Sequence, residues 1–286
     1  MNIVLISDAG YMDMTMMCMH SIIQTKYPST QIQFHILVTE GLDSELESKL
    51  QKFSIVDNVK VITYNLSGYL KDQGLDVIKT TTHVSTSALI KFFIPEILYD
   101  YNQCLYIDGD ILVRKDLSGF YGYDKLQNKY ATVVKDFGML KVWRNDKDPF
   151  VKDNSYFCSG QMLMDLNKLR EFKFATKCVD AKLNKYRNNW LMDQTVINYV
   201  LHNNVSYLGP EFCLGYHKMI LGVKGYDNIE WYNEVYGTKY SNIYQLILNS
   251  VLWHFHGNKS DQLKNSYLKQ LHDDTHKSML EFIAKN

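Results

Sequence analysis

Most of the extremes that would assign a sequence to a class at sight are missing from this one. Its charges balance, with 31 Lys and Arg against 31 Asp and Glu. No net field therefore draws it to nucleic acid or to an anionic membrane surface. No apolar run approaches the about 20 residues that span a bilayer, so any membrane association would be peripheral. Met1 passes straight into Asn2-Ile3-Val4-Leu5-Ile6, without the basic flank and longer apolar stretch of a secretory signal, and these residues read as a strand. Four prolines leave no Pro-rich linker, and there is no internal repeat or low-complexity segment. The five cysteines, Cys18, Cys104, Cys158, Cys178 and Cys213, are odd in number, far apart and never in a C-x-x-C pair. That pattern encodes neither a disulfide framework nor a zinc knuckle, and a soluble protein of a reducing, cytoplasmic compartment is the expectation.

What is present is a globular composition: 46% hydrophobic and 13% aromatic, with 21 Tyr and 13 Phe that suit a stiff core or ring-stacking surfaces. A chain of 286 residues buries one sizeable core. Apolar runs of strand length at 3–6, 33–38, 59–64, 104–107 and 131–134 alternate with helical patterns at 12–27, 44–53 and 85–98. The alternation predicts an α/β fold with a sheet covered by helices. Pro95 lies inside the last of those helical patterns and should kink it or shift its end. Further on, 161–165 and 252–256 read as extended, and 173–187 and 192–201 as helical. The expected organisation is one domain over residues 1–260 and a polar, helix-prone tail over 261–286.

The sharpest chemical signal is Leu105-Tyr106-Ile107-Asp108-Gly109-Asp110-Ile111-Leu112-Val113, where two carboxylates interrupt a run that otherwise favours burial. Unpaired buried charge is costly. In extended backbone residues i and i+2 point the same way, so Asp108 and Asp110 can converge on one cation, while Gly109 permits a sharp turn or the close approach of a ligand. Oxygen ligands of this kind suit Mg²⁺ or Mn²⁺. The same tripeptide also suits a simple turn after a strand. Asp146-Lys147-Asp148 repeats the spacing beside Arg144, Asn145 and Pro149, which reads as a solvated loop. A second cluster, His254-Phe255-His256-Gly257-Asn258-Lys259, follows the apolar Val251-Leu252-Trp253. It offers imidazole to a metal, and Gly257 and Lys259 to an anion.

Together these segments resemble the family 8 retaining glycosyltransferases, from Ile3 to Lys259 and in order. The resemblance implies the GT-A fold: a Rossmann-like nucleotide-binding domain with a mixed, mainly parallel central sheet flanked by helices. Tyr106-Ile107-Asp108-Gly109-Asp110 is similar to the family's Y-[IL]-D-x-D, and His254-Phe255-His256-Gly257 to its late H-[FY]-x-G. Asp108, Asp110 and His254 are thereby implied as ligands of Mn²⁺ or Mg²⁺, with His256 orienting a neighbour or packing. Asp8 and Tyr11 lie in the segment similar to the family's nucleotide loop, which implies a hydrogen bond to uracil and stacking on the base; by the residues alone, Asp8 could simply cap the following helix. Lys91-Phe92-Phe93-Ile94-Pro95-Glu96 is similar to R-[LF]-x-[IL]-P-E, with Lys91 in place of Arg at a contact to diphosphate or sugar. In Phe157-Cys158-Ser159-Gly160, Cys158 replaces the usual Asn. Leu191-Met192-Asp193-Gln194 implies Asp193 bonded to the transferred sugar and Gln194 beside its β face, and Asp136 stands where the family carries an acceptor-facing acid. Lys259 follows His254 by five residues rather than six.

The implied activity is transfer of glucose or galactose, with retention, from a UDP-sugar to a hydroxyl of a glycan, lipid-linked or protein acceptor. A metal-dependent phosphohydrolase and a nucleotide-sugar-binding protein without turnover are the rival readings, and no nucleic-acid partner is expected.

Overall fold

The computed structural model describes residues 1–79, 85–145, 148–189, 191–256 and 262–286. The first strand, β1 (Asn2–Ser7), alternates its apolar side chains between two faces. Ile3 and Leu5 enter one core cluster with Met16, Met19, Phe34 and Leu163; Val4 and Ile6 enter another with Phe92, Tyr106, Met162 and Met164. A strand that buries both faces belongs in the middle of a sheet. β1 pairs in parallel with β2 (Ile32–Val38), which pairs in parallel with β3 (Val59–Asn65), and on its other side with β4 (Gln103–Ile107). The nearby β5 (Ile111–Val113) leaves this sheet. Beyond β4 the order continues through β7 (Phe157–Asp165), β6 (Ala131–Lys135) and β8 (Val205–Leu208), giving β3-β2-β1-β4-β7-β6-β8. β7 is antiparallel to both of its neighbours while β6 and β8 are parallel, so only β7 opposes the common direction. The mixed, mainly parallel sheet implied by the family resemblance is the one observed.

The expected long helix over 85–98 is instead a 3₁₀ helix, Thr86–Phe93, followed by a single α turn, Ile94–Ile97. Pro95 has no N–H to offer the carbonyl of Lys91, and its ring would collide with that carbonyl in a continuous helix. The chain therefore starts a new turn with Pro95 in its first positions, where a missing donor costs nothing. This tightened stretch still buries Leu89, Ile90, Phe92 and Phe93, and it carries Lys91 inward with them.

A third cluster, built on Phe137, Phe150, Tyr156, Tyr226, Tyr232 and Trp253, forms beside the end of the sheet. Within it the Phe137 and Tyr232 rings stack at 3.9 Å. The two-stranded ribbon of β5 with β9 (Leu252–His254) lies against it. The helix Ser266–Lys285 returns to the helix Met12–Thr25: its Met279 and Ile283 enter the cluster of Ile3 and Leu5, and His20 Nε2 lies 3.0 Å from Ser278 Oγ. The expected boundary at 260/261 falls outside the described residues.

Candidate active site

The site grows from the carboxyl end of β4. The Asp108 N–H donates to the Gly160 carbonyl at 2.7 Å and the Ile111 N–H to the Asp108 carbonyl at 3.2 Å, a turn that leaves the sheet and starts β5. Ile111 pairs with His254 across the β5–β9 ribbon, and the Phe255 N–H donates to the Asp110 carbonyl at 3.0 Å. The ribbon therefore holds an imidazole beside two carboxylates that are 144 to 146 positions away in sequence. His254 Nε2 lies 3.2 Å from Asp110 Oδ1 and 3.7 Å from Asp108 Oδ2. One ligand atom from each of the three falls within 4.8 Å of the others. Burial opposes a charged His254, yet the Asp110 carboxylate and Cys158 outweigh it and hold the ring's pKa well above its ordinary value.

Asp108 is oriented by its other oxygen. Oδ1 accepts from the Tyr106 hydroxyl and from the Lys91 ammonium at 3.1 Å, leaving Oδ2 toward His254. Lys91, 4% exposed, also meets Asp193 Oδ2 at 3.0 Å. Its burial works against the charge, and the two carboxylates more than offset it. The ammonium is thus turned onto Asp108 and Asp193 and away from solvent. Two glycines make room for this packing. A Cβ on Gly160 would come within 2.8 Å of Asp108 Oδ2 and 3.0 Å of His254 Nδ1; one on Gly109 would come within 2.8 Å of Thr15 Oγ1 and 3.1 Å of the Tyr11 ring. Gly109 therefore serves close approach.

A second network adjoins the first. Ser159 Oγ donates to Asp193 Oδ2 at 2.8 Å, the Ser159 N–H to Gln194 Oε1 at 3.1 Å, and Gln194 Nε2 to Asp136 Oδ2 at 2.9 Å. Burial raises the pKa of Asp136, partly countered by the N–H of Met139 and the Gln194 amide. At the amino end, Asp8 Oδ1 accepts from the Tyr11 N–H at 2.9 Å, the capping arrangement. Burial, followed by the charge of Asp110, raises the pKa of the Tyr11 hydroxyl well above the ordinary value.

The structure thus gathers Tyr11, Lys91, Asp108, Gly109, Asp110 and His254 into one contact network, and Lys91 through Asp193 to Gln194 and Asp136. Asp8 stands at the near end through its cap on Tyr11. Gly257 and Lys259 lie outside the described residues, as does Asp146. Asp148 does not sit in a featureless loop; it caps the short helix Pro149–Lys152 by accepting from the Phe150 N–H at 2.9 Å. His256 packs edge-on to His254 at 4.9 Å and to His217 at 5.0 Å, with Nδ1 buried and lacking a hydrogen-bond partner among the described residues. Burial, followed by its cationic neighbours, pushes its pKa well down. Sequence reasoning missed Tyr106 as the partner of Asp108, Ser159 as the partner of Asp193, and Cys213, whose sulfur lies 3.9 Å from His254 Nδ1. A hydroxyl two residues before Asp108 on the same strand face was a signal for the first. Nothing local marked Cys213.

A mainly parallel sheet covered on both faces, with carboxylates and an imidazole gathered at the end of a central strand, defines the GT-A class of nucleotide-binding fold. The family model of "Glycosyl transferase family 8" matches residues 2–269, and the chain belongs to that family. Among solved structures, it is similar to the galactosyltransferase LgtC in complex with donor and acceptor sugar analogs. The TM-score is 0.70 at 17% identity, over 100% of this chain and 96% of that one, a likeness of fold. Curated relatives include the lipopolysaccharide 1,2-glucosyltransferase of Escherichia coli K12, 24% identical over 208 residues, covering 72% of this chain and 59% of that protein. Glucoside xylosyltransferase 2 of Xenopus laevis is 25% identical over 199 residues, covering 62% of this chain and 45% of that protein. The chain thus spans about half the length of these two relatives. Among the described residues, no helix is long and apolar enough to cross a membrane.

Proposed function

We propose that the chain transfers a hexose, glucose or galactose, from a UDP-sugar to a hydroxyl of a glycan, lipid-linked or protein acceptor, with retention at the anomeric carbon. The observation that carries this reading is the convergence of Asp108, Asp110 and His254 at the carboxyl end of β4, where ligand atoms from all three lie within 4.8 Å. Two carboxylates and an imidazole fit Mn²⁺, with Mg²⁺ as the alternative. Room kept by Gly160 beside Asp108 Oδ2 and His254 supports the same fit. A divalent ion there would supply Lewis-acid stabilisation of the diphosphate leaving group.

The remaining roles belong to the chain's own side chains. Lys91 and Tyr106 hold Asp108 through Oδ1, so that Oδ2 stays directed at the site. Asp193, shared by Lys91 and Ser159, would take a hydroxyl of the transferred sugar. Gln194 is a neutral amide committed at both ends, to Ser159 and to Asp136, and is a poor nucleophile. That argues against a covalent glycosyl-enzyme and for attack from the face the leaving group departs, where a phosphate oxygen of the donor takes the acceptor's proton. Asp136 would hold Gln194 against the β face of the sugar. Asp8 and Tyr11 would receive the uracil, Tyr11 with its ring, and Gly257 and Lys259 would meet the diphosphate. Five free thiols suit a reducing, cytoplasmic compartment.

The test is product analysis. UDP-glucose or UDP-galactose with Mn²⁺ and a panel of acceptors should yield glycosylated product of retained configuration. Tighter use of GDP-mannose, free phosphate as the product, or nucleotide-sugar binding without turnover would each contradict the proposal.

A further inference from the structure

The ring of His254 has a second nitrogen, and it faces sulfur. Nδ1 lies 3.6 Å from Cys158 Sγ and 3.9 Å from Cys213 Sγ, and the three atoms fall within 4.8 Å of one another. In a tetrahedral site with Zn–S of about 2.3 Å and Zn–N of about 2.0–2.1 Å, neighbouring N and S ligands stand about 3.6 Å apart and two sulfurs about 3.8 Å. The observed N···S separations already match the edges of such a tetrahedron to a few tenths of an ångström.

We propose that Cys158, Cys213 and His254 Nδ1 form a second cation site, selective for a thiophilic divalent ion such as Zn²⁺, that competes with the carboxylate site for His254. Two thiolates and one imidazole make a soft donor set, with a fourth position left for water. Cys158 and His254 are buried and Cys213 is partly exposed, so the ion enters from the Cys213 side. As the metal–sulfur bonds form, each thiol loses its proton to solvent, and a protonated His254 ring loses the one on Nδ1. The ring then keeps its proton on Nε2 and donates it to Asp110, 3.2 Å away. A neutral imidazole offers one lone pair at a time, so His254 cannot serve both ions. Cys158 stands where the family pattern has Asn, so the thiol at that position departs from the pattern. Binding of the thiophilic ion stands apart from the proposed activity, and only its inhibitory consequence rests on that reading.

The experiment uses the full chain, kept reduced without added thiol, and titrates Co²⁺ as a spectroscopic probe, followed by displacement with Zn²⁺. Expected are one Co²⁺ per chain with thiolate charge-transfer absorption, loss of that absorption on adding equimolar Zn²⁺, and at least tenfold weaker binding in Cys213→Ser. Asp110→Asn should keep the absorption and the affinity. In turnover assays Zn²⁺ should raise the Mn²⁺ concentration needed for half-maximal rate in the wild type and not in Cys213→Ser. Absence of thiolate absorption, or affinity lost in Asp110→Asn and kept in Cys213→Ser, would overturn the proposal. If no sugar is transferred under any condition, the activity reading fails while the absorption still decides this one.

Discussion

Replacing Lys91 with methionine keeps most of the side chain's length and apolar packing while removing the ammonium that joins two carboxylates. Lys91 is 4% exposed and lies 3.1 Å from Asp108 and 3.0 Å from Asp193, itself 3% exposed. Removing one partner of a buried pair leaves the other charge uncompensated, at a cost of about 3–5 kcal/mol. With an unfolding entropy of about 2.1 cal/mol/K per residue over 286 residues, that loss lowers the melting temperature by about 5–8 °C. Because Lys91 also fixes which oxygen of Asp108 faces His254, Lys91→Met should weaken use of the sugar donor at temperatures where the protein is fully folded. Lys91→Arg restores the charge but must seat a broader head in a filled space, so it should keep donor use and lose no more than about 1–3 kcal/mol. Differential scanning calorimetry and initial rates against donor concentration measure both effects. A Lys91→Met protein that melts within 1 °C of the wild type and uses donor equally well would refute the assignment of Lys91 as the tether of these carboxylates.

Asp148→Asn should leave turnover and stability near wild type, since asparagine caps a helix as well as aspartate does, whereas Asp148→Ala should lose about 1 kcal/mol in urea unfolding. Gly160→Ala drives a methyl group against Asp108 Oδ2 and His254 Nδ1, so Mn²⁺ affinity measured by titration should fall at least tenfold, with about 1–3 kcal/mol of stability lost to overpacking. His35 is buried between β1 and β3, its pKa lowered to about 4 by burial and then by the charges of Lys60 and the amino terminus. The unfolded chain takes up this proton near pH 6.5 and the folded chain only near pH 4, so stability falls as pH drops through that window. The wild type should lose about 2–3 kcal/mol more than His35→Gln between pH 7 and 4.5 by urea unfolding, and equal losses would count against the shift.

Much of the sheet was legible because its strands bury both faces: continuous apolar runs at β1, β2 and β4 leave few alternatives. Asp108 and Asp110 stood out for the complementary reason, as charges where the pattern favours burial. The position of His254 was legible only through the family resemblance. Its partner strand β5 has three residues and pairs with a segment about 140 positions away, a pairing set by tertiary packing. The 3₁₀ stretch Thr86–Phe93 was misread because its apolar spacing satisfies an α-helix as well, and only the consequence of Pro95 separates the two. Cys158 and Cys213 looked unrelated in sequence because no local motif records that β7 and the segment after β8 meet behind one imidazole.

In the proposed function Asp108, Asp110 and His254 act together on one divalent ion, and the two histidines of the late motif are unequal. The two rings are neighbours, 4.9 Å apart, and what separates them is orientation: His254 Nε2 also lies 3.7 Å from Asp108 Oδ2. In the structure His254 Nε2 faces Asp110 at 3.2 Å while His256 packs against His217. Titrating Mn²⁺ in the presence of UDP into wild type, Asp110→Asn, His254→Ala and His256→Ala is the most direct measurement. The first two substitutions should each weaken Mn²⁺ at least tenfold and remove Mn²⁺-dependent turnover, while His256→Ala binds Mn²⁺ nearly as the wild type does. A larger loss in His256→Ala than in His254→Ala, or undiminished affinity in Asp110→Asn, would contradict the account.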